Sequence, residues 1–257
     1  MLHANTGQLI YSEKNVNIPG KLRPNSAYDL NLYPQLGSST QAVLVVSVIC
    51  AMKFVNGKTP GLSWLGPEKT KFMTDLEAAL VAVWSEKHEL KTVTPTALAF
   101  STIGVRFDIT LSETLGATSH SHWSVSVEKI PAGSFKTSAA GMFNFTGLLN
   151  GNVDLDSEDL TPASKGGPEK QRGAMHEFGH MMGYFDEYVD KSDKPVGVPA
   201  WTSDLTSIMN CGETVQGRHY IWFADWCNRQ YITLANLSKK PIEFKVDGAI
   251  NMAVAQI

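Results

Sequence analysis

The hydrophobic pattern changes period along the chain, and each change predicts an element. Ala42 to Met52 is a valine-rich apolar run broken only by Ser47. It is too short to span a bilayer and reads as a buried strand, taken here as Gln41 to Val55. After Pro67 the apolar positions Phe72, Met73, Leu76, Ala79, Leu80, Val83 and Trp84 recur at helical spacing, so one stripe of a helix faces a sheet. Residues 97–112 and 122–130 are rich in β-formers. Met142 to Leu149 and Asn152 to Leu155 flank Asn150-Gly151, a dipeptide favoured in two-residue hairpin turns. An aromatic helix is expected from Arg218 to Tyr231. Two short strands follow it, Ile242 to Val246 and Ile250 to Val254, joined at Asp247-Gly248. Residues 1–40, rich in Asn, Pro, Gly and Ser, show little periodicity and suggest an extended arm. The class is α+β.

The chemistry concentrates in His176-Glu177-Phe178-Gly179-His180-Met181-Met182-Gly183-Tyr184-Phe185-Asp186. Residues four apart lie on one helix face, so His176 and His180 can aim ring nitrogens at a single Zn²⁺ at about 2.0–2.1 Å. Glu177 projects beside them, where it can take the proton of a zinc-bound water whose pKa the metal lowers to about 7. Gly183 stands where a helix C-terminus favours a residue able to take positive φ, and the chain can then swing Asp186 back as third ligand. Glu187, next in line, is an alternative ligand or a hydrogen-bonding neighbour; Asp186 has the better spacing. Three protein ligands leave the fourth tetrahedral position for water, the arrangement of a catalytic zinc site.

This H-E-x-x-H-x-x-G-x-x-D string resembles the metzincin metallopeptidases, in the snapalysin-like variant with aspartate in place of the third histidine. Ser207-Ile208-Met209-Asn210-Cys211-Gly212, with Met209 lying 23 residues after Asp186, is similar to that family's methionine turn. The motif resemblance covers roughly residues 168–231. It implies a zincin fold: a twisted mixed five-stranded sheet with a backing helix, an active-site helix and a smaller C-terminal lobe. The division would be an N-terminal arm over 1–40, an upper lobe over 41–188 and a C-terminal lobe over 189–257. It implies a zinc endopeptidase that holds an extended peptide along an antiparallel edge strand, assigned to 142–149. The family's tyrosine two residues after the Met-turn methionine is replaced by Cys211, so His219 or Tyr220 becomes the expected oxyanion donor. The resemblance extends to bacterial modules attached to toxin delivery systems, which share the Asp186-Glu187-Tyr188 ending, so an exported effector is one expectation. The alternatives are a zinc hydrolase of non-peptide amides such as cell-wall crosslinks, and a binding protein that keeps the zinc fold without catalysis.

Bulk properties narrow the partners. The 257 residues carry 43% hydrophobic and 18% charged residues, with a net charge of −3. A sequence pI near 6.2 gives no electrostatic footprint for nucleic acid or anionic membrane. The first residues have neither a basic n-region nor an apolar h-region, which points to export without a classical signal peptide or to a cytoplasmic location. Cys50, Cys211 and Cys227 are too few for a disulfide framework; Cys211 and Cys227 could pair, but free thiols are favoured. No cysteine lies in the arm to block a zinc, and Asp29 reads as a surface acid there. Asp154, Asp156, Glu158 and Asp159 lack the glycine and closing glutamate of an EF-hand and read as a solvated acidic turn. His120 and His122, without an acidic or thiol neighbour in sequence, read as structural.

Overall fold

The computed structural model describes residues 6–17, 26–93, 100–114, 121–141, 151–165, 167–189, 194–238 and 243–246. In chain order its elements are β1 (Tyr11–Val16), β2 (Tyr28–Pro34), β3 (Gln41–Val55), α1 (Gly66–Trp84), β4 (Glu89–Thr92), β5 (Thr102–Ser112), β6 (Trp123–Glu128), β7 (Ala139–Gly141) and β8 (Gly151–Asp156). There follow β9 (Ala163–Ser164), β10 (Lys170–Gln171), α2 (Gly173–Met181), β11 (Glu187–Val189), β12 (Pro195–Gly197), α3 (Ile221–Ser238) and β13 (Phe244–Val246). The fold is mixed α+β, a curled mixed sheet with three α-helices among the described residues. None of these helices is long and apolar enough to cross a membrane.

β3 is the axis of the sheet. The main path runs β13-β4-β5-β3-β6-β8-β7, and β1 and β2 join from the side to make nine strands. β3 pairs in parallel with β5 along one edge. Its other edge is shared, with Ala42 to Ser47 taken antiparallel by β2 and Cys50 to Val55 taken in parallel by β6. β8 continues parallel to β6, and β7 closes that end as an antiparallel strand. The sheet therefore exceeds the five strands expected. The extra strands come from residues expected to form a loose arm, from β4, and from the tail. Tyr28 to Leu32 are all buried, which removes the alternation that would have marked β2 in the sequence. Asp29 corrects the surface reading: it is buried, accepting from Lys14 Nζ and from the Asn15 N–H, with His122 Nε2 facing it at 3.3 Å.

α1 begins where Glu68 accepts the N–H of Leu65, 2.9 Å away, and it buries Phe72, Leu76, Leu80 and Trp84, one residue per turn. Trp84 Nε1 donates to Met175 O at 3.2 Å, tying α1 to α2, and its ring stacks on Tyr184. α3 packs into the same hydrophobic core as β3. Phe223 packs on Tyr28 and Phe107, while Tyr231 touches Tyr11 from β1 and Phe244 from β13. The aromatic helix starts with a 3-10 turn over Gly217–Tyr220. The edge strand assigned to 142–149, Asn150 of the Asn150-Gly151 turn, His120 and the 250–254 strand lie outside the described residues. The three cysteines are free and buried.

Candidate metal centre

α2 is short and almost wholly buried, and it ends as its sequence requires: Gly183 adopts φ +98, and the Tyr184 N–H returns to Gly179 O at 3.0 Å. That reversal releases an extended stretch in which successive side chains point to opposite sides. Asp186 turns toward α2, and Glu187 turns away from it.

His176, His180 and Asp186 come together, with one ligand atom from each lying within 4.8 Å of the others. The Nδ1 of His176 is 2.8 Å from Ile208 O, and the Nδ1 of His180 is 2.8 Å from Tyr184 O. A carbonyl only accepts, so these nitrogens carry the protons and each Nε2 presents a lone pair. Both lone pairs face Asp186 Oδ1, at 3.0 and 3.2 Å. Ligands about 2.0–2.1 Å from a tetrahedral ion stand about 3.3 Å apart, close to the two Nε2–Oδ1 separations here. A set of three converging electron pairs demands a cation, either a proton or a metal. Burial works against charge on His180, yet Asp186 outweighs it and draws the His180 pKa up. Burial likewise opposes ionisation of Asp186, but the two histidines hold its carboxyl far below the usual range. A metal entering here displaces a proton.

Glu177 sits on the same helix with a different environment. Burial raises its carboxyl above the ordinary value, while His176 and His180 pull the other way. The Ala140 N–H, from edge strand β7, hydrogen-bonds to it. Oε2 is buried with no partner among the described residues. Leaving a buried carboxylate oxygen unsatisfied costs about 1–3 kcal/mol or more, so such an atom marks a place where a further polar group is expected.

The turn beneath α2 is held from several directions. Met209 is fully buried with its Sδ pressed on Gly179, where a Cβ would come within 2.2 Å. Gln171 Nε2 lies 2.7–3.2 Å from the carbonyls of Ile208, Asn210 and Gly212. Arg172 grips Glu213 with Nε and Nη2 at 2.8 and 2.7 Å. Glu187 is not beside the His176, His180 and Asp186 cluster. It accepts from Arg218 Nε and Nη2 at 2.7 and 2.6 Å and from Ser207 Oγ at 2.5 Å, while its backbone N–H reaches Met209 O. Glu187 thereby fastens the ligand strand to the turn.

The expected oxyanion donors are placed elsewhere. Tyr220 is buried, with its hydroxyl donating to Trp84 O and accepting the Lys87 N–H. His219 is buried, accepting from the Gln216 N–H at Nδ1 and facing Glu187 Oε1 with Nε2 at 3.4 Å. Both are spoken for within the core, because the 3-10 turn that carries them packs against Trp84 rather than opening toward Asp186. The side chain that does meet the cluster is Tyr188, which hydrogen-bonds to Asp186 and feels the charge of Glu177. Its sequence signals were its place two residues after Asp186 and the Asp186-Glu187-Tyr188 ending. The acidic turn corrects the solvated reading, because Asp156 and Asp159 are buried and held by hydrogen bonds. Asp156 accepts the N–H groups of Glu158 and Lys136, and Asp159 accepts from Ser138 and the Asp156 N–H. Compared with protein-family models, curated proteins and solved structures, the chain matches none of them.

Proposed function

We propose that the chain is a zinc-dependent endopeptidase of metzincin type. The observation that carries this reading is the convergence of His176 Nε2, His180 Nε2 and Asp186 Oδ1 beside Glu177, whose Oε2 is buried and without a partner among the described residues. A binding scaffold has no need of such a carboxylate, and a structural zinc site has no room for one. The sheet supports the reading as well, since β5, β3, β6 and β8 run parallel and β7 closes them as an antiparallel edge.

His176, His180 and Asp186 would hold the ion, with Ile208 O and Tyr184 O fixing the imidazole tautomers. Zinc bound there would polarise the substrate carbonyl and acidify a neighbouring water. Glu177 takes the proton of that water as its oxygen bonds to the carbonyl carbon. As the C–N bond breaks, Glu177 passes the same proton to the departing amine. β7 lies beside α2 at the end of the sheet, and an extended peptide would lie along this edge largely regardless of sequence.

The test is metal content together with proteolysis. Purified protein is expected to hold about one zinc per chain and to cleave casein. Chelator abolishes the cleavage and added zinc restores it. Glu177→Gln should abolish cleavage with zinc retained, whereas Asp186→Ala should lose both. Zinc binding without hydrolysis of casein, but with release of amine from a cell-wall peptide crosslink, would shift the substrate class. Failure to bind zinc would overturn the reading.

A further inference from the structure

We infer that Tyr188 is a catalytic residue, its phenol donating a hydrogen bond to the oxyanion that forms when water adds to the substrate carbonyl. The inference rests on the zinc peptidase reading and deepens it. Asp186 immediately precedes β11, where its carbonyl accepts the Val198 N–H, and Tyr188 lies two residues on, so their side chains share a side, and the one between them, Glu187, is buried on the other. The Tyr188 side chain reaches the Asp186 carboxylate, while Asp186 Oδ1 meets both imidazoles. The phenol therefore lies one carboxylate away from the point where the ligands converge, on the flank that also feels Glu177.

The other hydroxyls of this region are committed. Tyr184 donates to His219 O, Tyr220 to Trp84 O, and Ser207 to Glu187. Tyr188 is 37% exposed, so substrate can reach it. In the resting protein the O–H is parked on Asp186. A tetrahedral oxyanion carries more charge per oxygen than a carboxylate already shared by two imidazoles, so the donor transfers as charge develops.

The experiment compares wild type with Tyr188→Phe, which keeps the ring and its strand. Four quantities are read: zinc affinity by chelator competition, kcat and KM on fluorescein-casein, and affinity for a phosphinate copy of a casein cleavage site mapped with the wild type. The expected result is a fall in kcat of about 10²-fold with KM within about twofold. Phosphinate affinity should fall by a similar factor, with zinc affinity unchanged. Unchanged kcat in the variant overturns the role. So does a loss of zinc affinity whose activity defect disappears at saturating zinc, because Tyr188 would then only position Asp186. A wild type that neither binds zinc nor cleaves casein overturns the underlying reading instead, and the role with it.

Discussion

Replacing Glu187 by Gln removes one charge from a buried cluster and keeps its shape. The Glu187 side chain is 5% exposed and that of Arg218 11%, with Nη2 to Oε2 at 2.6 Å. Breaking a buried pair by removing one partner costs about 3–5 kcal/mol. Asp204, 2.7 Å from Arg218 Nη2, keeps the guanidinium partly paired, which places the cost near the lower end, about 3 kcal/mol. Titration gives a similar size. Burial opposes the charged form, yet Arg218 and His219 bring the Glu187 carboxyl from 4.5 to about 2. At about 1.4 kcal/mol per pH unit, that shift amounts to roughly 3 kcal/mol at neutral pH. Because the carboxyl is depressed in the folded state, its contribution is complete above about pH 4.5 and drains away as pH falls toward 2. Urea unfolding of wild type and Glu187→Gln should therefore differ by about 3 kcal/mol at pH 7 and by roughly half that near pH 3. A difference below about 1 kcal/mol at pH 7, or one that stays constant from pH 7 to 3, refutes the argument.

Asp159 has the opposite sign. Burial raises its carboxyl to about 6, so the folded state keeps a proton that the unfolded chain releases, and stability declines as pH climbs from about 4 to 6. Asp159→Asn keeps an acceptor for the Asp156 N–H and should remove that decline; parallel Tm–pH curves for the two proteins would contradict it. Gly179→Ala drives a methyl against Met209 Sδ and close to Trp84. Overpacking of about 1–3 kcal/mol is expected in denaturant melts, together with weaker zinc binding, and a neutral result would mean the methionine swings aside freely. Tyr220→Phe should cost about 1 kcal/mol through its lost bond to Trp84 O and leave kcat on casein within about twofold; a tenfold loss would bring this hydroxyl back to the site.

What could be read from the sequence was what depends on local geometry. Helix spacing aligns His176 with His180, and a single positive-φ glycine decides where Asp186 goes, so the meeting of His176, His180 and Asp186 follows from eleven residues. β3 was bounded correctly because a central strand buried on both faces is a continuous apolar run. The N-terminal strands were missed because their polar residues are satisfied across the sheet, as Ser12 is by Asn31 and Asp29 by Lys14, and composition alone reads them as surface. The choice between His219, Tyr220 and Tyr188 depends on which way a 3-10 turn and the short β11–β12 pair face, and long-range packing decides that. Gln171, which braces three carbonyls of the turn, left no sequence signal.

The divided edge of β3 bears on how this protein could be processed. β2 covers Ala42 to Ser47, a stretch that includes Val43, Leu44, Val45 and Val46, and on that edge nothing else described takes its place. Cleavage that shed the chain up to Pro34 would leave six consecutive valine-rich backbone positions open, a template for edge-to-edge association between molecules. A leading segment that masks a catalytic cleft can be discarded once it has done its work. This one is stitched into the central strand, and proteolytic removal would yield a self-associating species instead of an unmasked enzyme.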